Sequence, residues 1–333
     1  MHVGFTMDMR NPLGRPWRDH WEDCLHLMCE AEAMGFDYVM VQEHFFQPDG
    51  YAPSVPVFLT VLAERTRTIR IGSYVYILPL HHAAMLAQET AVLDHLSEGR
   101  LDVTVGSGHS AAEYHALGYS PKTRPSRMQE GLEVLKLAWT QRPFSYSGRY
   151  YGLKDVTVAP APLQQPHPPL WVAATAPPAA RRAGRMGANL HGASVDPEFH
   201  QAYFDGLAEA GIARDQVRVS NPWAITVTDE NPDAVWERRK DFIFERWDFY
   251  RRIRDEMGDP DLQYGLAPSP EAYRDYEIIG DADTVIGTLE ALVKDLPLTD
   301  IVHSGPAGGI PPEEAYEDLK RFADRVLPTL KSW

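Results

Sequence analysis

Gly35-Phe36-Asp37-Tyr38-Val39-Met40-Val41-Gln42-Glu43-His44-Phe45-Phe46 is the stretch whose reading decides the fold. Its glycine tolerates the left-handed backbone that ends a helix. A short β-rich run follows and stops on Glu43-His44, two groups that can move protons, beside two phenylalanines. Parallel α/β barrels carry their reacting groups at the C-terminal ends of their strands, so an acid and an imidazole here match a catalytic position. The competing reading is a strand end whose polar residues simply meet water.

On either side of this stretch, strand-like and helix-like segments alternate. Val3–Met7 reads as a strand and Asp19–Met34 as an amphipathic helix. After the Tyr38–Gln42 strand come a helix over Val55–Arg65 and a strong β segment over Arg70–Leu78, closed by Pro79. Ala84–Leu96 is helical with Gly99 as its stop signal, and Leu101–Val105 is a fourth strand. The second half gives helices over Ser126–Trp139, Pro178–Met186, Asp233–Met257, Ala282–Lys294 and Pro312–Leu327. Its strands are Leu170–Ala174, Asn189–His191, Val217–Val227 and Asp300–His303. Eight strands alternating with helices predict a (β/α)8 TIM barrel, one domain over 1–333 with insertions near 141–169 and 258–280. The rival is a doubly wound sheet with Gly106-x-Gly108 as a dinucleotide loop. Against it, the third glycine position holds Ala111 and the unit falls fourth in the chain.

With 333 residues, 44% hydrophobic and 24% charged, the chain can bury a substantial core. A net charge of −15 argues against nucleic acid and anionic membrane surfaces as partners. No apolar run is long enough to span a bilayer, and the start reads as a first strand rather than a signal peptide. Cys24 and Cys29 lie five apart, which suits neither a redox pair nor a zinc site; reduced thiols in a cytoplasmic protein are expected. No metal is expected, because the 13 histidines are scattered and no His-Glu-x-x-His occurs. The absence of a Gly-x-Ser-x-Gly elbow disfavours a serine hydrolase.

Several short patterns gain meaning from their common order: Glu43-His44-x-Phe46, Leu78-Pro79-x-x-His82, Leu93-Asp94-x-x-Ser97-x-Gly99-Arg100, Arg127-x-x-Glu130, Gly148-x-Tyr150-Tyr151, the proline run from Pro160 to Pro169, and Ala183-Gly184-x-x-Gly187. Together they resemble the bacterial luciferase-like monooxygenase family over nearly the whole chain. The resemblance implies a barrel that binds FMN, or a deazaflavin relative, at its strand C-termini. It also implies reduced FMN supplied by a separate reductase, dioxygen and a small-molecule substrate as partners, and a homodimer packed through the helices Val55–Arg65 and Ala84–Leu96.

The resemblance makes His44 the catalytic proton shuttle, with Glu43 beside it orienting a neighbour or bonding backbone amides. It places Tyr74 and Val75, where relatives often have a cis peptide, under the flavin ring, and assigns Ser107, Gly108, His109, Ala173, Ala174, Thr175 and Ala176 to the cofactor. Met7, Phe45, Phe46 and His82 are expected in the substrate pocket; Phe45 stands where several relatives carry a second histidine. Asp94 and Arg100 are expected to be architectural, the arginine tied to barrel carboxylates. Some relatives place an arginine at the position of Ser107. Here the phosphate is expected to meet the Gly106-Ser107-Gly108 turn, the Thr175 hydroxyl and the amides of Ala176, Ala179 and Ala180, with Arg181 or Arg182 adding charge. The aromatics of the 141–169 excursion, together with Trp247, Phe249 and Tyr250, could form a lid, or could be core. Three functions follow: an FMN-dependent monooxygenase, a deazaflavin-dependent hydride-transfer enzyme on the same barrel, or a non-catalytic flavin-binding partner subunit.

Overall fold

The computed structural model describes residues 1–257 and 268–333. Eight parallel strands close into a barrel. They are β1 (His2–Thr6), β2 (Tyr38–Val41), β3 (Arg70–Ser73), β4 (Leu101–Gly106), β5 (Leu170–Ala174), β6 (Asn189–Gly192), β7 (Val219–Val227) and β8 (Asp300–Ser304). Each pairs with the next, and β8 returns to β1 in register, His2 opposite Asp300. All eight were expected from the sequence. Strands buried on both faces read as continuous apolar runs, and β2 shows why. Tyr38 and Met40 point into the barrel with Val302, whereas Val39 and Val41 join the core beneath the helices.

The opening glycine works as read. The helix Trp17–Ala33 ends at Met34, and Gly35 turns with φ +89°. Phe36 then donates its amide to Ala31 O at 3.0 Å and stacks on Phe322. That contact aims β2 so that its C-terminal end delivers Glu43 and His44.

Several features were not expected. The third strand breaks at Tyr74 and resumes as Tyr76–Ile77 against β4. A helix, Pro197–Glu209, connects β6 to β7. A strand, Glu277–Gly280, pairs with the outer half of β7, Ala224–Val227. The excursion after the helix Arg124–Thr140 contains an antiparallel hairpin, Phe144–Ser147 with Gly152–Val156. Of the second expected insertion, 258–267 lies outside the described residues.

The family-like patterns near this hairpin are fasteners. Glu130 accepts the amides of Arg149 and Tyr150, each at 2.9 Å. The Arg127 guanidinium lies 4.3 Å from the Tyr119 ring and 4.4 Å from that of Tyr150. Asp94 accepts the Gln164 amide at 2.8 Å and its side-chain nitrogen at 2.7 Å. Arg100 is also architectural, but it caps the carbonyls of Ala63 and Ile69, each at 2.9 Å, where carboxylates were expected. Those carbonyls belong to the end of one helix and the turn after it, where unpaired acceptors collect. Among the described residues, no helix is long and apolar enough to cross a membrane.

Candidate active site

A cavity of about 370 Å³ opens at the C-terminal ends of the strands. Glu43 and His44, 3% and 5% exposed, leave the end of β2 toward different partners. His44 Nδ1 lies 3.3 Å from Glu113 Oε1, and the same oxygen accepts the Phe45 amide at 3.0 Å. An oxygen that receives an amide proton is acting as an acceptor, so Nδ1 carries the imidazole proton in this pair. Nε2 is then left for the cavity, which His44 lines. The ring is held flat against Tyr51, centroids 4.4 Å apart, and edge-on to Phe249 at 5.1 Å and His109 at 5.6 Å. Such contacts fix its plane, as a positioned proton carrier requires.

Glu43 turns away to the backbone. Its Oε2 accepts the Ile77 amide at 2.7 Å and lies 2.8 Å from His81 Nε2. This geometry suits a positioning role for Glu43 rather than proton transfer.

Of the expected cofactor residues, Tyr74, Val75, Ser107, Gly108, His109, Ala173, Ala174 and Thr175 line the cavity, and the Tyr74–Val75 peptide is cis. Ala176 is absent from the lining. It caps the helix Pro177–Arg185, and its carbonyl accepts the amides of Ala179 at 3.0 Å and Ala180 at 3.1 Å. Those two amides, expected to meet a phosphate, are spent inside the helix. Met7 lines the cavity, but Phe45, Phe46 and His82 do not. Phe46 takes φ +60° and is 64% exposed, turned outward by the bend after His44. His82 is exposed at the start of the helix Ala83–Leu96, edge-on to Tyr151.

Other lining residues escaped the sequence reading. Glu113 sits on a six-residue helix, Ala111–Ala116, with Ser110 as its cap. The Ser110-x-x-Glu113 spacing of a capping box was the available signal, although the carboxylate goes to His44 instead of back to the cap. Arg124 donates to Gly108 O at 2.9 Å and steadies the turn after β4. A Cβ on Gly108, which has φ +65°, would come within 2.6 Å of Ile77 Cγ2, so this turn packs directly on the segment after Val75. Arg124, Gln129 and Arg182 line the cavity along with Ser107 and Thr175, whereas Arg181 pairs with Glu209 at the surface. Two guanidinia and two hydroxyls make a donor set that fits an anionic group, whereas the Gln129 side-chain nitrogen is engaged by Glu133 Oε1 at 2.8 Å, and the bare methyls of Ala173 and Ala174 leave room for a flat ring.

The opposite wall comes from the helix Pro232–Met257, which presents Arg246, Trp247 and Tyr250. The aromatics of the excursion stay out of the lining, and Phe144 and Tyr151 are buried in the core. The Tyr250 and Tyr51 hydroxyls are 2.9 Å apart. Arg246 pairs with Glu277 and donates to Gly305 O at 2.8 Å. Arg10 forks onto Asp8 at 2.9 and 2.6 Å. Burial alone would raise the Asp8 carboxyl, but the charge and hydrogen bonds of Arg10 outweigh it and hold it below its ordinary value. Burial pushes the His109 imidazole down to about 3, helped by His44 and Arg124, and it stays neutral. The wall is therefore polar but internally charge-balanced, with His44 as the imidazole placed to exchange a proton.

The luciferase-like monooxygenase family model matches residues 1–298. The chain belongs to this family. It is 36% identical to an F420-dependent glucose-6-phosphate dehydrogenase of Kineococcus radiotolerans, over 91% of each chain. It is 31% identical to 4-hydroxyprotoasukamycin monooxygenase of Streptomyces nodosus subsp. asukaensis, over 87% of this chain and 80% of that one. It spans about half the length, 52%, of two curated relatives from Sinorhizobium fredii that it matches. The structure of the monooxygenase RslO1 from Streptomyces bottropensis superposes with a TM-score of 0.82 at 24% identity, covering 99% of this chain and 100% of the other. That likeness concerns the fold.

Proposed function

We propose that this chain is a monooxygenase that uses reduced FMN and dioxygen to oxygenate a small organic substrate, with His44 moving the proton. The observation that carries the reading is the buried imidazole whose Nδ1–H is engaged by Glu113, leaving Nε2 to the cavity. Bound reduced FMN would supply the electrons that activate dioxygen. Arg124, Arg182, Ser107 and Thr175 would hold its phosphate, and Tyr74, Val75, Ala173 and Ala174 would flank its ring. Tyr51, Trp247 and Tyr250 would exclude water from the substrate side. Reduced FMN would come from a separate reductase.

A second reading, hydride transfer with a deazaflavin coenzyme, is favoured by the 36% identity to an F420-dependent relative over nearly its whole length. His44 would serve there as well, taking or giving the proton of a hydroxyl. Its engagement with Glu113 speaks against a non-catalytic subunit.

Anaerobic titration with reduced FMN, and in parallel with the reduced deazaflavin, separates the readings. Admitting air to the FMN complex should give a delay before oxidised flavin appears. His44→Ala should lower turnover by about 100- to 10,000-fold at nearly unchanged flavin affinity. Immediate oxidation without product from any substrate, beside tight deazaflavin binding, would replace the first reading with the second.

A further inference from the structure

The acid at the end of β2 bonds backbone, and the backbone it bonds is the continuation of the cavity floor. Glu43 Oε2 receives the Ile77 amide at 2.7 Å, two residues beyond Val75. His81 Nε2 approaches the same oxygen at 2.8 Å and, since that oxygen already accepts an amide, is the donor. Ile77 in turn abuts Gly108 in the turn after β4. One carboxylate thus ties together β2, the segment Tyr74–Ile77 and, through Ile77, the loop that faces the proposed phosphate. We propose that Glu43 and His81 are positioning residues, a protonation-dependent clamp that seats Tyr74–Ile77 against the cofactor, so that cofactor affinity follows the charge on His81. The proposal rests on the reading that a flavin or deazaflavin ring lies against Tyr74 and Val75.

The surroundings of His81 support the coupling. Its ring packs edge-on to Tyr76 at 5.6 Å and against Phe45 at 5.8 Å, and its carbonyl accepts the Tyr151 hydroxyl at 3.4 Å. The titratable groups facing it are Glu43, Glu89, Tyr76 and Tyr151. Burial pushes both phenols up, so they stay neutral at working pH. Burial would lower His81, but the hydrogen bond and charge of Glu43, with Glu89 behind, outweigh it and raise the imidazole above its ordinary value. An imidazolium makes a shorter, stronger bond to a carboxylate than a neutral ring does. The clamp is therefore fully closed below the ordinary imidazole range and loosens as pH rises through the raised value in the folded protein.

The test measures FMN, riboflavin and deazaflavin binding to the full chain from about pH 5.5 to about pH 9. It also follows hydrogen exchange at the Ile77 amide in the cofactor-free protein. Wild-type affinity should fall about tenfold as pH rises, for riboflavin too, which has no phosphate to ionise. His81→Gln keeps a donor without the charge and should show the weaker affinity at every pH. Glu43→Gln should lower Ile77 protection about tenfold or more, and wild-type protection should decline with pH once intrinsic exchange is divided out. The same pH profile in wild type and His81→Gln, or Ile77 protection indifferent to both pH and Glu43→Gln, would overturn the clamp. If no flavin or deazaflavin binds, the functional reading fails, and with it the coupling to cofactor affinity, whereas the Ile77 exchange still decides whether the clamp exists.

Discussion

Glu113 Oε1 lies 3.3 Å from His44 Nδ1 across a sequence separation of 69 residues, and the same atom receives the Phe45 amide. This pairing fixes which imidazole nitrogen faces the cavity. Glu113→Gln retains an oxygen for both donors but removes the charge that would stabilise an imidazolium. Glu113→Ala also strands the Phe45 amide, at a cost of about 1–3 kcal/mol in stability. Turnover should fall about tenfold or more in the first and further in the second, with flavin affinity nearly unchanged and the pH–rate profile displaced. An unaltered profile in Glu113→Gln would separate Glu113 from the proton path.

The phosphate end gives a second expectation. Thr175→Val, Ser107→Ala and Arg182→Gln should each weaken FMN by roughly 1–2 kcal/mol, the cost of losing a hydrogen bond to a charged group. Riboflavin should be nearly indifferent to all three. Arg124→Gln should hurt both ligands, because Arg124 also holds Gly108 O. Equal losses for FMN and riboflavin in the first three would move the phosphate elsewhere.

Acid should unfold this protein through histidines as well as carboxylates. His109, His191 and His303 are each pushed from 6.5 down to about 3, chiefly by burial. Below about pH 6.5 the unfolded chain takes up protons at these positions that the folded chain refuses. Stability is therefore intact above that pH and drains as pH falls toward about 3, by at most about 1.4 kcal/mol per pH unit for each group. Urea midpoints at about pH 7 and pH 5 should differ accordingly. His303→Leu, in an apolar nest of Phe5, Phe36 and Phe322, should flatten the slope by about one proton. An unchanged slope would show that His303 takes up its proton in the folded state.

Assembly is the fourth expectation. Val57, Met85, Val92 and Leu96 stand out from the helices Val55–Arg65 and Ala83–Leu96, each more than 40% exposed. Sedimentation at micromolar concentration should give the mass of two chains, and Val57→Asp with Met85→Asp should reduce it to one. A single-chain mass for the wild type would contradict the dimer.

The barrel was legible because strands buried on both faces leave unbroken apolar runs, and helix stops such as Gly35 and Gly99 punctuate them. The helix Pro197–Glu209 was readable too, since Asp196 before Pro197 is a capping signal, and its side chain does accept the Glu198 amide at 2.9 Å. The far wall of the cavity was not legible. Nothing in a charged helix says that Arg246 turns inward, because its burial depends on Glu277, which pairs with it from the unexpected strand beside β7. Glu113 was hidden for a similar reason: a six-residue helix has too little periodicity to say which face meets the site. The displaced expectations, Ala176, Phe45, Phe46 and His82, were each decided by local packing or backbone. Ala176 and His82 are spent as helix caps, Phe45 packs against His81, and Phe46 is turned outward by its left-handed backbone.

The strand Glu277–Gly280 has a consequence for how this barrel can change its chemistry. The proposed cofactor side is built from β3, β4, β5 and their loops, whereas Arg246, Trp247 and Tyr250 arrive on a single helix fastened by Glu277. That helix is tied to the barrel proper by Arg10 donating to Glu245 O, by the Tyr51–Tyr250 hydroxyl pair and by Arg246 donating to Gly305 O. Because Phe249 of the same helix packs edge-on to His44, an exchange of this helix would re-cut the substrate wall and disturb the seat of the imidazole together.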